Sequence, residues 1–333
     1  MTEEYADEID DTLDDIERVV EDPSELYEHF RVVVDKGQSQ VRIDKYLFER
    51  LVNSSRNRIQ KAADAGFVMA NGKPVKSSYK VKPCDVLTVM MDRPRYDNDI
   101  IPEDIPLDIV YEDEDLMVIN KPAGLVVHPG CGNYHGTLVN AILYHCQDDL
   151  STINGVLRPG IVHRIDMDTT GLLVICKNNM AHQSLAEQLK VHSITRKYTA
   201  IVYDNIPEDN GTIHKTIGRH PVDRKKQAVN VRNGRDAITH YRVLERFGGK
   251  YTMVECQLET GRTHQIRVHM ASIHHPLLGD TVYGPSKDPF HLQGQTLHAG
   301  VLGFIHPRTG KYVEFHSELP EYFQNLILML RNS

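Results

Sequence analysis

At 333 residues, 40% hydrophobic and 25% charged, the chain has room for two folded units and the make-up of a soluble globular protein. Its apolar runs, such as Leu172–Cys176, fall far short of the roughly 18 residues a spanning helix needs, and the start at Met1 has no basic or apolar leader, so a cytoplasmic protein is expected. Five scattered cysteines without a CxxC pair exclude a disulfide framework or a cysteine-based zinc site, while the net charge of −8 argues against a nucleic-acid partner until it is divided along the chain.

Residues 1–30 carry thirteen acids and one base, Arg18, and read as a solvated tail with one helical stretch at Ile9, Leu13, Ile16 and Val20. Residues 31–92 carry twelve bases and six acids, and the remaining 241 residues are near neutral at −2. Local charge decides whether phosphate is attracted, because fields are screened beyond about 8–10 Å at ordinary salt. A basic module therefore stands behind an acidic tail.

Within that module Ile43, Leu47 and Leu51 recur every four residues and predict a helix whose other faces carry Arg42, Lys45 and Arg50. Asn53-Ser54-Ser55 offers a cap for a second helix carrying Ile59, Ala62 and Ala63, with Arg56, Arg58 and Lys61 on it. Gly66 stands where a left-handed C-cap belongs, and Asn71-Gly72 between Phe67–Ala70 and Pro74-Val75 predicts a hairpin. The run from Val81 to Val89 reads as a closing strand, and Lys73, Lys76, Lys80 and Lys82 cluster on the hairpin side.

These residues resemble the S4 RNA-binding domain. The match runs through Arg42-Ile43-Asp44-Lys45-Tyr46-Leu47, Ser55-Arg56, Ile59-Gln60, Gly66, Val68, Asn71-Gly72 and Val81-Lys82-Pro83-Cys84-Asp85. The resemblance implies that the two helices present a basic face to RNA, with Arg42, Lys45, Arg56, Arg58 and Lys61 as contacts. Cys84 departs from the pattern, which has Gly before the Asp, so a tighter or differently shaped turn is expected there.

Residues 93–106, with Pro94, Pro102 and Pro106 among charges, read as a linker, and residues 107–333 as the main domain. Strands are predicted at 107–111, 116–120, 172–177, 197–203, 238–246, 251–258 and 311–315. Helices are predicted at 137–145, 180–190, 263–273 and 319–331. Antiparallel-looking runs with interspersed helices give an α+β fold: a mixed, largely antiparallel sheet with flanking helices, preceded by a small α/β module.

The densest polar signal lies in Gly160–Val174, where His163-Arg164-Ile165-Asp166-Met167-Asp168-Thr169-Thr170-Gly171 separates two apolar runs. Asp166 and Asp168 admit three roles: a metal pair, an acid/base pair, or caps for the following turn. Capping is the plain reading of Asp168, because Thr169-Thr170-Gly171 is a turn sequence. A second signal is Glu259–Met270, in which Thr263 can cap a helix bearing Arg267 and Met270. A buried arginine there could hold a carboxylate ionised, whereas an exposed one would be an ordinary surface residue. His264 and His269 are five apart, which is not the spacing of a zinc-binding helix. The third signal, Arg196-Lys197-Tyr198, alternates as in a strand, and in isolation Tyr198 reads as a packed core aromatic.

Together these stretches resemble the RluA-type pseudouridine synthases, in the branch that carries an N-terminal S4 domain and modifies large-subunit ribosomal RNA. The resemblance covers residues 31–330. It rests on His163-Arg164-Ile165-Asp166 with Thr169-Thr170-Gly171, on Asn120–Leu125, on Arg196–Tyr198, on Thr260–Arg267 and on His275–Gly284. Ile165 for Leu is a mild departure. The resemblance implies Asp166 as the catalytic carboxylate, Arg267 as its basic partner and Tyr198 as a tyrosine that stacks near the base and moves protons. It implies Arg164 as the arginine that fills the gap left by the extruded nucleotide, Arg262 as a further RNA contact, and Lys121 and Pro122 as the floor of the cleft. Isomerisation needs no redox change or energy input, so no cofactor, metal or membrane is expected, and a monomer is the default. The alternatives left open are a non-catalytic RNA-binding or ribosome-assembly protein, a histidine-rich metal hydrolase, and an isomerase acting on transfer RNA.

Overall fold

A computed structural model describes residues 27–51, 56–91, 100–129, 133, 135–146, 150–151, 159–223 and 226–332. The expected tail helix, the Asn53-Ser54-Ser55 cap, residue 92 and residues 93–99 of the expected linker lie outside the described residues. The chain divides into two compact units, Met1–Asp99 and Ile100–Ser333.

The first unit is a four-stranded antiparallel sheet under two helices. Its elements are β1 (Tyr27–Val33), α1 (Ile43–Phe48), α2 (Arg56–Asp64), β2 (Val68–Ala70), β3 (Lys73–Pro74) and β4 (Val86–Met91), with sheet order β1-β4-β2-β3. Ile43, Tyr46 and Leu47 from α1 and Ile59, Ala62 and Ala63 from α2 pack on Val68, Ala70, Leu87 and Val89. The turn Asn71-Gly72 has φ of 52° and 77°, the positive values that close a two-residue hairpin.

Three details differ from expectation. β1 begins at Tyr27, inside the stretch that charge counting gave to the tail, because Tyr27–Val33 is paired along β4. β4 begins only at Val86, because Lys82–Asp85 form a turn held by the Asp85 carboxylate. That carboxylate accepts from the Lys82 amide, Asn71 Nδ2 and the Tyr79 hydroxyl. Helix α1 ends at Phe48 rather than at Leu51, although Leu51 still packs against the core.

The second unit is built on a nine-stranded sheet. Strands β5 (Ile109–Glu112), β6 (Leu116–Lys121), β7 (Thr170–Cys176), β14 (Leu297–Ile305), β8 (Thr195–Tyr203), β13 (Tyr251–Leu258), β12 (Ile238–Phe247) and β9 (Asn210–His214) follow in that order, and β15 (Tyr312–His316) pairs with β14. Every pairing is antiparallel except β7 with β14, so the α+β class holds. β8 runs along one edge of β14; on the other edge β7 takes the first residues and β15 the rest, so the sheet forks there. A separate hairpin pairs β10 (Ile217–Arg219) with β11 (Gln227–Val229). Residues 100–106, expected to be linker, are tied to this unit: Asn140 Nδ2 donates to the Ile101 carbonyl, and the Glu103 amide to that of Asn140.

The two-residue period of the central strands feeds two cores. Met117, Ile119, Leu173, Ile175, Tyr198 and Ala200 face a core capped by helices α3 (Leu138–Cys146) and α5 (Gln265–Ser272). Leu116, Val118, Leu172, Val174 and Cys176 face the opposite core, closed by α4 (Asn179–Lys190). Helix α6 (Glu321–Arg331) buries Phe323, Leu326, Ile327 and Leu330 against Ile201, Phe247 and Leu278. The first of these cores decides where the chemistry lies, because Ile165, Tyr198 and Ile266 all belong to it. A loop, a strand and a helix widely separated in sequence thereby converge.

Candidate active site

The loop 162–169 leads into β7, and its backbone is fixed before any functional side chain is considered. The His163 ring accepts the Val174 amide through Nε2 at 3.2 Å. Burial and the neighbouring charge of Arg196 hold that imidazole neutral, with its pKa pushed down to about 3. The Met167 carbonyl accepts from both the Gly124 amide and the Lys121 ammonium, at 3.0 and 2.7 Å. Lys121 is fully buried, and its other two bonds go to the carbonyls of Pro122 and Leu125, so it pins the 122–125 loop to the loop carrying Met167. At the loop's end Gly171 (φ 111°) lies against the Ala299 backbone so closely that a Cβ would collide with it. That close approach is the parallel pairing of β7 with β14.

Asp166 projects from this scaffold with its side chain only 16% exposed, and its Oδ2 accepts from Arg267 Nη1 at 3.0 Å. Arg267, on α5, is buried and makes a second, bidentate pair with Asp280, Nε and Nη2 donating at 2.7 and 2.9 Å. The Asp280 side chain is completely buried, and its Oδ1 also accepts the amides of Val282 and Tyr283. The Tyr283 ring lies under the guanidinium, 5.2 Å from ring centroid to Cζ. The result is a chain of alternating charge, with one arginine locked by a wholly buried carboxylate and offering its remaining arm to a partly exposed one.

The electrostatics follow from that order. Burial would raise the Asp166 pKa, but positive charge at His264 when that ring is protonated, and at Arg267 and Arg164, outweighs it and holds the carboxyl below its ordinary value. Burial raises the pKa of Asp168 instead, so the two aspartates are driven apart. The Tyr198 phenol is buried on β8, and burial with the nearby Asp166 charge pushes its pKa up, so it is protonated at neutral pH.

Among the described residues one cluster, Asp113, Asp115 and His306, has oxygens and a ring nitrogen close enough to hold an ion. Its groups are already engaged. Asp115 takes the fork of Arg308 and an amide proton of Asn178, and Asp113 takes two backbone amides, the Tyr111 hydroxyl and His306. His269 is likewise committed, to Thr239 and the Lys215 carbonyl, and does not converge on a site with His264. A hollow of about 420 Å³ bordered by Asn120, Pro122, Thr170 and His298 has none of Asp166, Tyr198 or Arg267 in its wall.

Comparison with known proteins gives this geometry its context. Residues 115–272 match the RNA pseudouridylate synthase family, and residues 41–87 match the S4 domain. The chain is 53% identical to an uncharacterized RNA pseudouridine synthase of Bacillus subtilis, over 91% of this chain and 98% of that protein. It is 49% identical to the ribosomal large subunit pseudouridine synthase D of Zymomonas mobilis, over 87% and 93% of the two chains. Among solved structures, human RNA pseudouridylate synthase domain containing 1 superposes with a TM-score of 0.52 at 25% identity, covering 68% of this chain and 96% of that one. The chain belongs to the RNA pseudouridylate synthase family.

As a member of that isomerase family, the protein places its expected residues unevenly. Asp166, Arg267 and Tyr198 come together as the sequence led one to expect, with Arg164 exposed beside them and near enough for its charge to bear on Asp166. Arg262 is partly buried, its Nε donating to the Asp236 carbonyl. The proposed Thr263 cap gives way to His264, which holds the N-cap position in a left-handed conformation (φ 56°).

In the S4 unit Lys45 and Lys61 are exposed, and the Arg58 side chain lies outside the described residues. Arg42 and Arg56 are half exposed, but both are held by the buried Asp44 carboxylate, which also accepts from Gln60. Sequence reasoning quoted Asp44, His264, Asp280 and Tyr283 within motifs and gave none of them a role. A buried carboxylate and a buried arginine each require a partner, and that requirement was the available signal for Asp280.

Proposed function

We propose that this pseudouridine synthase isomerises uridines of large-subunit ribosomal RNA, with Asp166 as its catalytic carboxylate and no cofactor. The observation that carries the reading is the ion chain Asp280–Arg267–Asp166, which leaves one ionised, oriented carboxylate at the open end of a buried network. Two relatives of nearly full-length similarity, from Zymomonas mobilis and Nitrosomonas europaea, are named ribosomal large subunit pseudouridine synthase D, and the S4 match supports structured RNA as the substrate.

Pseudouridine formation breaks C1′–N1, turns the base and joins C1′ to C5, and the C5 proton is lost while N1 regains one, so product and substrate are isomers. The base must first leave its stack, which costs a few kcal/mol and is cheapest in loops. Arg164, exposed at the mouth of the loop, is suited to fill the vacated space and meet phosphate. Asp166 then acts either by attacking the substrate or by assisting departure of the base and loss of a C2′ proton. Tyr198 enters protonated, so it serves first as a hydrogen-bond or proton donor to the departing base, and its phenolate then accepts the proton lost from C2′ or C5. Arg42, Lys45, Arg56, Arg58 and Lys61 of the S4 unit, with Arg262, are assigned to phosphate. A cytoplasmic setting follows from the ribosomal substrate.

The test is Asp166→Asn, which preserves shape and removes charge. Single-turnover tritium release from large-subunit ribosomal RNA transcribed with [5-³H]uridine should fall at least ~10³-fold, while affinity for the same RNA stays within about threefold of the parent. Retained turnover would refute the assignment of Asp166. Turnover confined to transfer RNA transcripts would refute the assigned substrate.

A further inference from the structure

Among the described residues, several imidazoles lie in or near the core that carries Asp166, and two of them, His269 and His298, have both ring nitrogens hydrogen-bonded by the protein fold. His163 accepts from the Val174 amide. His269 bonds Thr239 through Nδ1 and the Lys215 carbonyl through Nε2. His298 bonds Thr170 through Nδ1 and the Ser317 carbonyl through Nε2. His264 differs. Its Nδ1 lies 2.8 Å from the Tyr283 hydroxyl, whereas its Nε2 has no hydrogen-bond partner among the described residues and is not among the buried polar atoms sealed from solvent.

The tautomer of His264 can be worked out from its neighbour. The Tyr283 oxygen already accepts the Gln227 amide at 2.7 Å, and burial keeps the phenol protonated, with its pKa pushed up to about 12. Its hydroxyl proton therefore goes to Nδ1 of His264, which places the imidazole's own proton on Nε2. Burial lowers the pKa of His264, so the ring is neutral at working pH. An edge-on packing against Tyr283, with ring centroids 5.6 Å apart, fixes its plane. The backbone at His264 sits in the left-handed region (φ 56°), a conformation disfavoured for a non-glycine residue and one that clusters at functional sites. Asp166 is near enough that its charge acts on His264, opposing the effect of burial.

Building on the reading of Asp166 given above, we infer that His264 is a substrate-contacting residue whose Nε2–H donates a hydrogen bond to a carbonyl oxygen of the extruded uracil. A fixed N–H donor suits uracil, which presents acceptors at O2 and O4, and it repels the amino group that cytosine carries at C4. Its direction is set through Tyr283 by the β10–β11 hairpin, so the donor is oriented before RNA arrives. A site built to hydrogen-bond one substrate atom discriminates sharply against analogues lacking it, because its own polar group is then left unpaired.

The experiment is a cycle between one protein atom and one substrate atom. Single-turnover tritium release is measured on large-subunit ribosomal RNA transcribed with 5-tritiated uridine, 2-thiouridine or 4-thiouridine, since sulfur is a poor hydrogen-bond acceptor. The enzymes are the parent, His264→Asn, which tolerates the left-handed backbone but is too short to reach, and His264→Gln, whose Nε2 does reach. The parent should lose about tenfold or more with one of the two thio substitutions. H264N should be slower on uridine by a comparable factor and lose less than about threefold with the same sulfur, and H264Q should regain most of the parent's rate and thio sensitivity. Perturbation of RNA folding by sulfur affects all three enzymes alike and cancels in the ratio. Equal sensitivity of parent and H264N to both thio substitutions would overturn the inference. An inactive Asp166→Asn in the same assay would show that the reading of Asp166 survives that outcome, so the two failures are distinguishable.

Discussion

Both units of this molecule bury a carboxylate among arginines, and they do so in opposite senses. In the S4 unit Asp44 is wholly buried, and the guanidiniums of Arg42 and Arg56 that it collects are half exposed. In the catalytic unit Asp280 is wholly buried, the arginine it collects is buried with it, and the group displayed is a second carboxylate, Asp166. The first arrangement presents fixed positive charge outward, as a phosphate-binding surface requires. The second presents fixed negative charge, as a reacting carboxylate requires. The same ion pair therefore serves binding or chemistry according to which member is sealed in.

The comparison breaks most severely at Asp280. Asp280→Ala leaves the Arg267 charge buried with only Asp166 to answer it, and removing one partner of a buried pair costs about 3–5 kcal/mol. Arg267 should then swing fully onto Asp166, so turnover falls along with the urea midpoint of the catalytic unit. Asp280→Asn, which keeps the shape and one acceptor, should restore part of the stability. If Asp280→Ala left both the midpoint and the single-turnover rate unchanged, the alternating ion chain would not be what orients Asp166.

A smaller effect sharpens the other half. Asp44→Asn weakens bonds to guanidiniums that are half in water, so the expected loss is about 1–2 kcal/mol rather than the larger figure for a sealed pair. The hydrogen bond from Arg42, together with those from Gln60 and Arg56, holds the Asp44 carboxyl well below its ordinary range. A carboxylate depressed in the folded state stabilises fully above its unfolded pKa of about 3.9, and that contribution is lost as the pH falls through the folded value. Thermal melts of parent and Asp44→Asn should therefore keep a constant gap from pH 7 to about 4, closing only below that. A gap that closed between pH 7 and 5 would place the effect on some other group.

What the sequence disclosed and what it withheld divide along the same physical line. Periodic features were legible: β13 was predicted at 251–258 and runs Tyr251–Leu258, and Asn71-Gly72 turns as its chemistry demands. So was the convergence of Asp166, Tyr198 and Arg267, through motifs that resemble one family. Strand β14, in the middle of the large sheet, was missed because His298, Gly300 and Gly303 interrupt its apolar pattern, although His298 is buried on Thr170 and the Ser317 carbonyl. β1 was missed because charge counting merged its first residues with the acidic tail. Asp44 and Asp280 were given no role, since the identity of a charged side chain does not reveal which partners enclose it: Arg42, Arg56 and Gln60 around the one, Arg267 and two backbone amides around the other.

Cys84 is the place where a departure seen in the sequence meets a number in the structure. Where the S4 pattern has glycine, this chain places Cys84 at φ 65°, exposed, between Pro83 and the Asp85 carboxylate that ties the turn. The turn thus keeps the left-handed conformation glycine would adopt, and a side chain is forced into it. That conformation costs a non-glycine residue roughly 1–2 kcal/mol, while glycine adds about 0.5–1 kcal/mol of unfolded-state entropy. Cys84→Gly should therefore stabilise the S4 unit by about 0.5–1 kcal/mol, seen as a small rise in its melting temperature with no change in single-turnover rate. A fall in stability would mean that the Cys84 side chain contributes contacts worth more than the strain it imposes, which its exposure argues against.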